Sequence, residues 1–358
     1  MTPLASSPPS TSRTAIDAAL TDVARRFEAE LASDLPCVQT LADQAIRYRG
    51  KMLRPQLVLA VGAVFNPDAL GPDPDERLAV AAAVVEMIHL ATLVHDDVLD
   101  EADLRRSGPT LRALHGNEAA VMLGDYLISH AYRMCTRLDA PGRESVSGRM
   151  AAVTNTVCEG ELLQLEHRGD WALSERTYLE IVRRKTGALT GACCALPQWL
   201  DPEPNPALAR ELYAFGEKLG VAFQIADDVL DLAGDPDRLG KPLGQDLAAG
   251  KLTLPWVCYF QQALPADAAD TRQLIQSIAR DPRGAQDESD PQAGSPPTGD
   301  AFGLALQRLR RSGALEQAEA RAQAVTQDAA KWAQSSLPPS PALDMLLQMV
   351  GRVAARRY

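Results

Sequence analysis

Residues 86–106 read EMIHLATLVHDDVLDEADLRR, and this stretch holds the pattern that decides the fold. Apolar residues recur at three- and four-residue spacing up to the first aspartate, which is the period of an α-helix. On a helix, Asp96 and Asp100 lie one turn apart on one face, with Asp97 beside them. Three carboxylates this close repel one another unless cations neutralise them, and Mg²⁺ prefers carboxylate oxygens as ligands. The stretch therefore predicts a helix that leads into a metal site.

A second stretch repeats the acidic pattern. Residues 223–235 read FQIADDVLDLAGD and contain DDVLD again, at Asp227, Asp228 and Asp231. One such motif says little by itself because acidic helix ends are common on protein surfaces. Here both copies are embedded in apolar sequence, so neither is typical of a solvated acidic face. If the two helices face each other, the clusters could hold several Mg²⁺ ions and clamp one diphosphate.

Polar residues precede each cluster at helical spacing. His89 lies seven positions before Asp96, and Gln224 lies three positions before Asp227. Such polar stripes indicate that the two helices line a shared cavity. The alternative for His89 is a core histidine whose hydrogen bonds are satisfied within the protein.

The helical pattern continues from Ala15 to Arg352, without sustained strand-type alternation, so the sequence predicts an all-α protein. Gly-, Pro- and Asp-rich segments separate the helices. Residues 1–14 are rich in Ser, Thr and Pro and are predicted to be a disordered tail, with a short organellar targeting segment as the alternative, followed by a single domain at 15–358. Within it, residues 281–300 have almost no large apolar side chain and are predicted to be a mobile insertion.

Composition excludes several classes of function. The 358 residues are 46% hydrophobic and 23% charged, as in an ordinary globular protein, and the formal net charge is -11. This charge disfavours nonspecific attraction to nucleic acid or an anionic membrane. The six cysteines show no metal-ligand spacing and indicate a reducing compartment, so we expect a cytoplasmic protein. Charged residues interrupt every long apolar stretch, so we expect no membrane span. No arrangement of residues suggests a covalent nucleophile.

Basic residues recur beside the acidic clusters. Any one of them alone is typical of a solvated surface charge, but their repeated placement predicts binding of diphosphates. They are Lys51 and Arg54 at a helix start, Arg105 and Arg106 after the first cluster, Lys185 next to Thr186, and Lys241 and Lys251 after the second cluster.

Six motifs occur in order along the chain. They are GKMLRP at 50–55, residues 86–106 quoted above, GNEAAVMLGDYL at 116–127, EGELLQL at 159–165, RKTGAL at 184–189, and the segment 223–255 that begins FQIADD. From about residue 15 to its end the sequence closely resembles the trans-isoprenyl diphosphate synthase family, most of all its long-chain bacterial members such as octaprenyl diphosphate synthase. The resemblance implies a bundle of long helices around a deep central cavity, a homodimer, and Mg²⁺ as cofactor, about three ions in each active site.

The resemblance also implies a role for each motif residue. The metal ligands would be Asp96, Asp100 and Asp227, with Asp97 in support and Asp228 and Asp231 acting partly through water. The allylic diphosphate would be bound by Arg105, Lys185, Lys241 and Lys251. Isopentenyl diphosphate would be bound by Lys51, Arg54, His89 and Arg106. Thr186 and Gln224 would border the developing carbocation.

The same resemblance implies that the product grows in a tunnel beside the first acidic helix. The residues before Asp96 that would form its floor in short-chain enzymes are the small Ala91 and Thr92. Tyr132 on the facing helix is the candidate floor, and the alternative is that Tyr132 is an ordinary core residue. We therefore expect an all-trans product of roughly 30 to 50 carbons, as used for quinone side chains. The sequence departs from the family pattern at Arg49, a position that is usually Gly, and at Ser107-Gly108.

Three alternatives remain open at this stage. A geranylgeranyl diphosphate synthase would make a shorter product from the same substrates. A class I terpene cyclase or a head-to-head synthase would share the helices and aspartate clusters, but a cyclase binds a single diphosphate, so the predicted isopentenyl site formed with Lys51, Arg54 and His89 argues against it. A noncatalytic subunit of a heteromeric synthase usually lacks one or both acidic clusters, whereas both are intact here.

Overall fold

The computed structural model describes residues 10–71, 75–105, 108–234, 243–280 and 300–354. The helices are α1 Ser10–Leu31, α2 Pro36–Arg47, α3 Leu53–Phe65, α4 Glu76–Leu99, α5 Leu111–Thr136, α6 Val146–Glu166, α7 Glu175–Val182, α8 Ala188–Leu200, α9 Pro206–Ala233, α10 Gln245–Ala248, α11 Leu254–Gln262, α12 Pro265–Arg280, α13 Asp300–Ser312, α14 Ala314–Ser336 and α15 Pro341–Ala354. A 3₁₀ turn at Pro67–Leu70 and a π-helical turn at Arg183–Gly187 complete the helical elements of the described chain. The predicted all-α fold is confirmed.

Two local differences from the sequence prediction concern the strands and the N-terminal region. Leu104–Arg105 (β1) and Gly108–Pro109 (β2) pair antiparallel, a two-residue ladder too short to leave a strand pattern in the sequence. Helix α1 begins at Ser10, so residues 10–14 are helical rather than part of a tail. Residues 1–9 and 281–299 lie outside the described residues, and Asp300 begins α13. The single-domain assignment stays a prediction.

Helix α4 forms the centre of the bundle and packs against α1, α3, α5 and α8. Asp75 caps its N-terminus by accepting a hydrogen bond from the Arg77 amide, and Asp100 caps its C-terminus. No membrane span is expected from the sequence, yet α4 is long and apolar enough to cross a membrane. In the folded protein, 72% of the most apolar 18-residue stretch of α4 is buried, as expected for the core helix of a bundle. Burial on almost every side also explains why α4 has no strong polar face before the aspartates.

Helices α8 and α9 approach closely because glycines face each other across the contact. A Cβ on Gly216 would lie 2.4 Å from the Thr190 carbonyl oxygen, and one on Gly220 would lie 2.8 Å from the Gly187 Cα. Side chains at these positions would force the helices apart. The close approach brings the π-helical turn before α8 next to the middle of α9, where the predicted catalytic side chains lie.

Arg49, a departure from the family pattern, has a packing role. Its guanidinium donates to the Ala24 carbonyl, pairs with Glu28, and lies 5.1 Å from the centre of the Phe27 ring. These contacts join the end of α2 to α1. The departure therefore strengthens a helix contact and removes no predicted ligand.

Candidate active site

The first acidic cluster lies at the end of α4, and its middle aspartate is the most buried of the three. Asp97 is 1% exposed, and its Oδ1 accepts a hydrogen bond from Arg105 Nε at 2.8 Å and forms an ion pair with Arg105 Nη2 at the same distance. Burial raises the pKa of Asp97, and the bonds from Arg105 oppose that rise. Arg105, predicted to bind the allylic diphosphate, is thus engaged with a carboxylate of the first cluster. Arg106 lies outside the described residues.

The outer two aspartates of this cluster each contact cations. Asp100 accepts a hydrogen bond from Lys251 Nζ at 2.5 Å and another from Arg168 Nη2 at 3.3 Å. Asp96 lies 3.7 Å from Lys185 Nζ. Burial raises the pKa of Asp96, and Lys185 opposes the rise. Two of these cations, Lys185 and Lys251, are predicted diphosphate ligands, and the structure places both beside predicted metal ligands.

The π-helical turn at Arg183–Gly187 presents Lys185 to the site. Insertions of this kind into helices occur frequently at functional sites. Lys185 Nζ donates to Gln164 Oε1 at 2.9 Å and contacts Glu161, both on α6. Burial by itself lowers the pKa of Lys185, but Asp96 and Glu161 outweigh it and raise the pKa above its ordinary value. Lys185 is therefore a protonated ammonium held within a pocket of carboxylates.

Glu161 and Gln164 were not predicted as site residues, although both lie in the quoted motif EGELLQL. Their spacing of three places them on one face of α6, next to the π-helical turn. A Cβ on the neighbouring Gly160 would lie 2.5 Å from the Lys185 amide nitrogen, so the backbones touch there. The signal in the sequence was two polar residues and a glycine on one turn of a helix.

The second acidic cluster is joined to Thr186 and Gln224, which are predicted to border the carbocation, by a chain of hydrogen bonds. Thr186 Oγ1 donates to Gln224 Oε1 at 3.0 Å, and Gln224 Nε2 donates to Asp228 Oδ1 at 2.9 Å. The buried Tyr178 hydroxyl donates to the other oxygen of Asp228 at 2.5 Å. Burial, and then the charge of Asp246, raise the pKa of Asp228 well above its ordinary value. These bonds fix the orientation of the Gln224 amide.

Residues 243–253 connect the two clusters. The Gly244 amide donates to the Asp231 carbonyl at 2.8 Å, and the Asp246 amide donates to the Asp231 carboxylate at 3.3 Å. The Lys251 amide then donates to the Asp246 carbonyl at 2.8 Å, while its ammonium reaches Asp100. One segment thus connects Asp231 on α9 with Asp100 after α4. Lys241 lies outside the described residues.

One cleft brings five predicted residues together. These are Lys185, Thr186, Gln224, Asp228 and Lys251. An apolar wall that includes Leu173, Val182 and Leu252 lines the same cleft. Cations beside an apolar wall suit a ligand with a diphosphate head and a hydrocarbon tail.

The predicted isopentenyl residues lie at the start of α3 and along α4. Lys51 is exposed just before α3, and Arg54 lies in its first turn. Burial lowers the pKa of Arg54, which interacts electrostatically with Asp227 of the second cluster. The Arg54 Nε has no hydrogen-bond partner in the described protein. His89 is half-buried on α4, and its carbonyl accepts a hydrogen bond from Thr92.

The predicted chain-length residues lie on α4 and α5. Ala91 is fully buried within the bundle, whereas Thr92 is half-buried. Tyr132 is half-buried on α5, packs against the main core, and shares a hydrogen bond with the Thr154 hydroxyl of α6. The role of Tyr132 as the tunnel floor stays a prediction.

The carboxylates fit a magnesium site that is completed by substrate. Among the described residues, no three ligand-type side chains form a ready-made metal cluster. Mg²⁺ usually keeps several waters and binds through one or two carboxylates together with substrate phosphates, so no such cluster is required. Asp96 and Asp100 supply hard oxygen donors beside the cleft, and Glu161 Oε1 nearby has no hydrogen-bond partner.

Comparison with known proteins decides the family. A family model described as polyprenyl synthetase matches residues 36–289. The chain belongs to this family. It is 37% identical to heptaprenyl diphosphate synthase component 2 of Geobacillus stearothermophilus, over 66% of this chain and 71% of that protein. It is 35% identical to octaprenyl diphosphate synthase of Escherichia coli (strain K12), over 69% of this chain and 73% of that protein.

A solved structure agrees over nearly the whole length. The polyprenyl synthase of Caulobacter crescentus CB15, complexed with calcium and isoprenyl diphosphate, superposes with a TM-score of 0.83 at 28% identity. The match covers 99% of this chain and 100% of that one. This polyprenyl synthetase family member is therefore an all-α prenyltransferase of the polyprenyl diphosphate synthase type, and the prediction from the sequence motifs is confirmed.

A pH-dependent contribution to stability is expected from the residues that anchor the π-helical turn. Glu180 accepts hydrogen bonds from Arg183 and Arg184, which lower its pKa from 4.5 to about 2. Because the pKa of Glu180 is lower in the folded protein than in the unfolded chain, the ionised carboxylate stabilises the fold at any pH above 4.5. This contribution is lost as the pH falls from 4.5 towards 2. Because Glu180 is 36% exposed, solvent screens the network, and we expect Glu180→Gln to reduce the free energy of unfolding by about 1 kcal/mol at pH 7.

Urea unfolding of the wild type and the Glu180→Gln variant at pH 7 and pH 3 measures this contribution. The difference between the two proteins should be smaller at pH 3. The exposed Glu211 on α9 provides the control, and Glu211→Gln should change stability little at either pH. An equal loss for Glu180→Gln at both pH values would contradict the prediction.

Proposed function

We propose that this enzyme condenses isopentenyl diphosphate with an allylic diphosphate, farnesyl or geranylgeranyl diphosphate, to form a medium- or long-chain all-trans polyprenyl diphosphate. The observation that carries the proposal is the placement of Lys185 and Lys251. Each contacts the first acidic cluster, and both line the cleft that contains Asp228 and the apolar wall. Cations, acidic clusters and an apolar surface are the three features that ionisation of an allylic diphosphate requires.

Asp96, Asp100 and Asp227 are proposed as the principal Mg²⁺ ligands. When bound, Mg²⁺ supplies positive charge that stabilises the leaving diphosphate. Lys185 and Lys251 donate hydrogen bonds to the same diphosphate from a site that is largely shielded from water, where such bonds are stronger. The C–O bond breaks with its electron pair remaining on the diphosphate oxygen, which leaves an allylic cation in the cleft.

Thr186 and Gln224 are proposed to face that cation. The Gln224 carbonyl oxygen already accepts a bond from Thr186, and its amide nitrogen is held by Asp228, so the carbonyl dipole is fixed before substrate binds. A dipole fixed in advance requires no reorganisation during ionisation. Leu173, Val182 and Leu252 exclude water that would otherwise capture the cation.

The second substrate is proposed to bind at Lys51, Arg54 and His89, together with Arg106. Arg54 is half-buried, and its buried Nε has no hydrogen-bond partner among the described residues, so the side chain offers a donor to an anion. The double bond of isopentenyl diphosphate attacks the allylic cation and forms the new C–C bond. The adduct then loses a proton to the departing diphosphate, so no protein nucleophile is needed.

Product sizing tests the proposed reaction. Purified protein is incubated with Mg²⁺, radiolabelled isopentenyl diphosphate and either farnesyl or geranylgeranyl diphosphate, and the dephosphorylated products are separated by length. We expect a ladder that ends at roughly 30 to 50 carbons and disappears in EDTA. A product that stops at 20 carbons would favour a geranylgeranyl diphosphate synthase instead.

Tyr132→Ala is expected to lengthen the product. Removal of the ring from between α5 and α6 would open space along the proposed tunnel. Chain lengths are compared by chromatography at equal turnover, with Tyr213→Ala on α9 as the control for loss of a half-buried tyrosine. If Tyr132→Ala gives the wild-type product distribution, Tyr132 is a core residue and the floor lies elsewhere.

A second candidate function follows from the Geobacillus stearothermophilus relative, whose name describes it as component 2 of a synthase. Such a protein would need another component for turnover. We propose a homodimer instead, in the cytoplasm, with candidate contacts at Val121 and Met122 on α5 and Leu162 on α6, which are apolar yet 40–65% exposed. Turnover by the purified protein alone separates the two candidates.

A further inference from the structure

Resting on the proposed function, we propose that Arg168 is a further cation of the allylic diphosphate site. Arg168 follows α6 and has no counterpart among the motif residues discussed above. Its Nη2 lies 3.3 Å from Asp100 Oδ1, while Lys251 Nζ lies 2.5 Å from the other oxygen of the same carboxylate. Asp100 is therefore shared by a lysine that the motifs assign to diphosphate binding and an arginine that they do not.

The two outer aspartates of the first acidic cluster each contact cations from other segments of the chain. Lys185 contacts Asp96, and Lys251 and Arg168 contact Asp100. A carboxylate that takes up a divalent ion no longer holds a monovalent partner as strongly, because the two cations repel each other. The released side chain is then close to the anion that the metal attracts. Lys185, Lys251 and Arg168 each contact a proposed metal-binding carboxylate, so each would be released beside the diphosphate.

The backbone holds Arg168 beside Lys251. The amide of Gly169 donates to the Gly250 carbonyl at 2.9 Å, which joins the end of α6 to the residue before Lys251. Gly250 has φ +74°, and a Cβ there would lie 3.1 Å from Arg168 Cγ. The side chain of Arg168 thus packs directly over the backbone of Gly250. This junction fixes the spacing between the two cations before any ligand binds.

The guanidinium is also accessible and chemically suited to the role. The Arg168 side chain is 35% exposed, and two residues next to it, His167 in the chain and Lys251 across Asp100, line the cleft. Arginine presents several N–H donors in a planar fork that matches two oxygens of a phosphate, which lysine cannot do. A purely structural surface ion pair with Asp100 would contribute little and would not affect diphosphate affinity.

The test compares Arg168→Gln, Arg168→Lys and wild type in two measurements. The first is calorimetric binding of inorganic pyrophosphate in the presence of Mg²⁺, and the second is the KM for each substrate. For Arg168→Gln we expect about tenfold weaker pyrophosphate binding and about tenfold higher KM for the allylic primer, with KM for isopentenyl diphosphate unchanged. Arg168→Lys should recover part of both effects. Arg176→Gln, at an exposed arginine on α7, is the matched control and should behave as wild type.

Two outcomes would overturn the inference. One is pyrophosphate binding by Arg168→Gln at wild-type affinity, and the other is an equal rise in KM for both substrates, which would indicate a general structural effect. The wild type is assayed for elongation first, so failure of the proposed function is seen separately. If the wild type does not elongate but Arg168→Gln still binds pyrophosphate less tightly, the diphosphate role of Arg168 stands without the proposed reaction.

Discussion

Asp96→Asn is expected to reduce kcat by about a thousandfold or more. Asp96 is a proposed direct Mg²⁺ ligand. Loss of the charge stabilisation that the metal supplies raises the free energy of the transition state by several kcal/mol, and each 1.36 kcal/mol slows the reaction tenfold. Elongation rates measured across a Mg²⁺ titration would show the loss and any increase in the metal concentration required. Thermal unfolding of the metal-free variant should show no destabilisation, because burial already disfavours the charged carboxylate.

Asp103→Asn provides the matched control for this variant. Asp103 follows the first cluster, is 76% exposed, and pairs with Arg112 outside the cleft. Its replacement should leave kcat within a few-fold of wild type. Near-wild-type turnover by Asp96→Asn at moderate Mg²⁺ would contradict the assignment of the first cluster as the metal site.

Lys185→Gln is expected to lower kcat/KM for the allylic primer by about 10²- to 10³-fold. The ammonium is proposed to stabilise the charge that develops on the leaving diphosphate, and loss of one such fixed donor has an effect of this size. Glu161 and Asp96 would also lose the cation between them. Steady-state kinetics with varied primer measure the effect, and Lys331→Gln, at an exposed lysine on α14, is the control.

A double variant separates catalysis from positioning at this lysine. If Glu161 acts only by holding Lys185, then Glu161→Gln combined with Lys185→Gln should be no slower than Lys185→Gln alone. A further loss in the double variant would give Glu161 a role of its own, for example as a metal ligand. Unchanged kcat/KM in Lys185→Gln would remove Lys185 from the proposed mechanism.

The helices and the two acidic clusters could be predicted because both are local patterns. Helical periodicity extends over α4 and α9, and DDVLD can be recognised within five residues. The structure adds what adjacency in sequence cannot show, such as the contact of Asp100 with Arg168 and Lys251 from distant segments. These contacts depend on how α4, α6 and the segment after α9 pack, and no short pattern encodes that packing.

The π-helical turn and Arg105 illustrate the same limit at single residues. The motif RKTGAL predicts a lysine and a threonine in the site, but not the extra residue in the turn that presents them. Arg105 is expected from its motif to bind diphosphate, yet in the folded chain it pairs with the buried Asp97. A buried carboxylate is stable only when a cation pairs with it. The sequence shows both charges but does not show that Asp97 is buried, so it does not predict this pairing.

The most direct test of the central claim is release of pyrophosphate by the purified protein from an allylic diphosphate, with and without isopentenyl diphosphate, in Mg²⁺. The proposed condensation predicts release only when both substrates and Mg²⁺ are present, in step with incorporation of isopentenyl units. Release from the allylic diphosphate alone would indicate a cyclase-type reaction. No release under any of these conditions from folded protein would contradict independent synthase activity and favour a subunit that requires its partner.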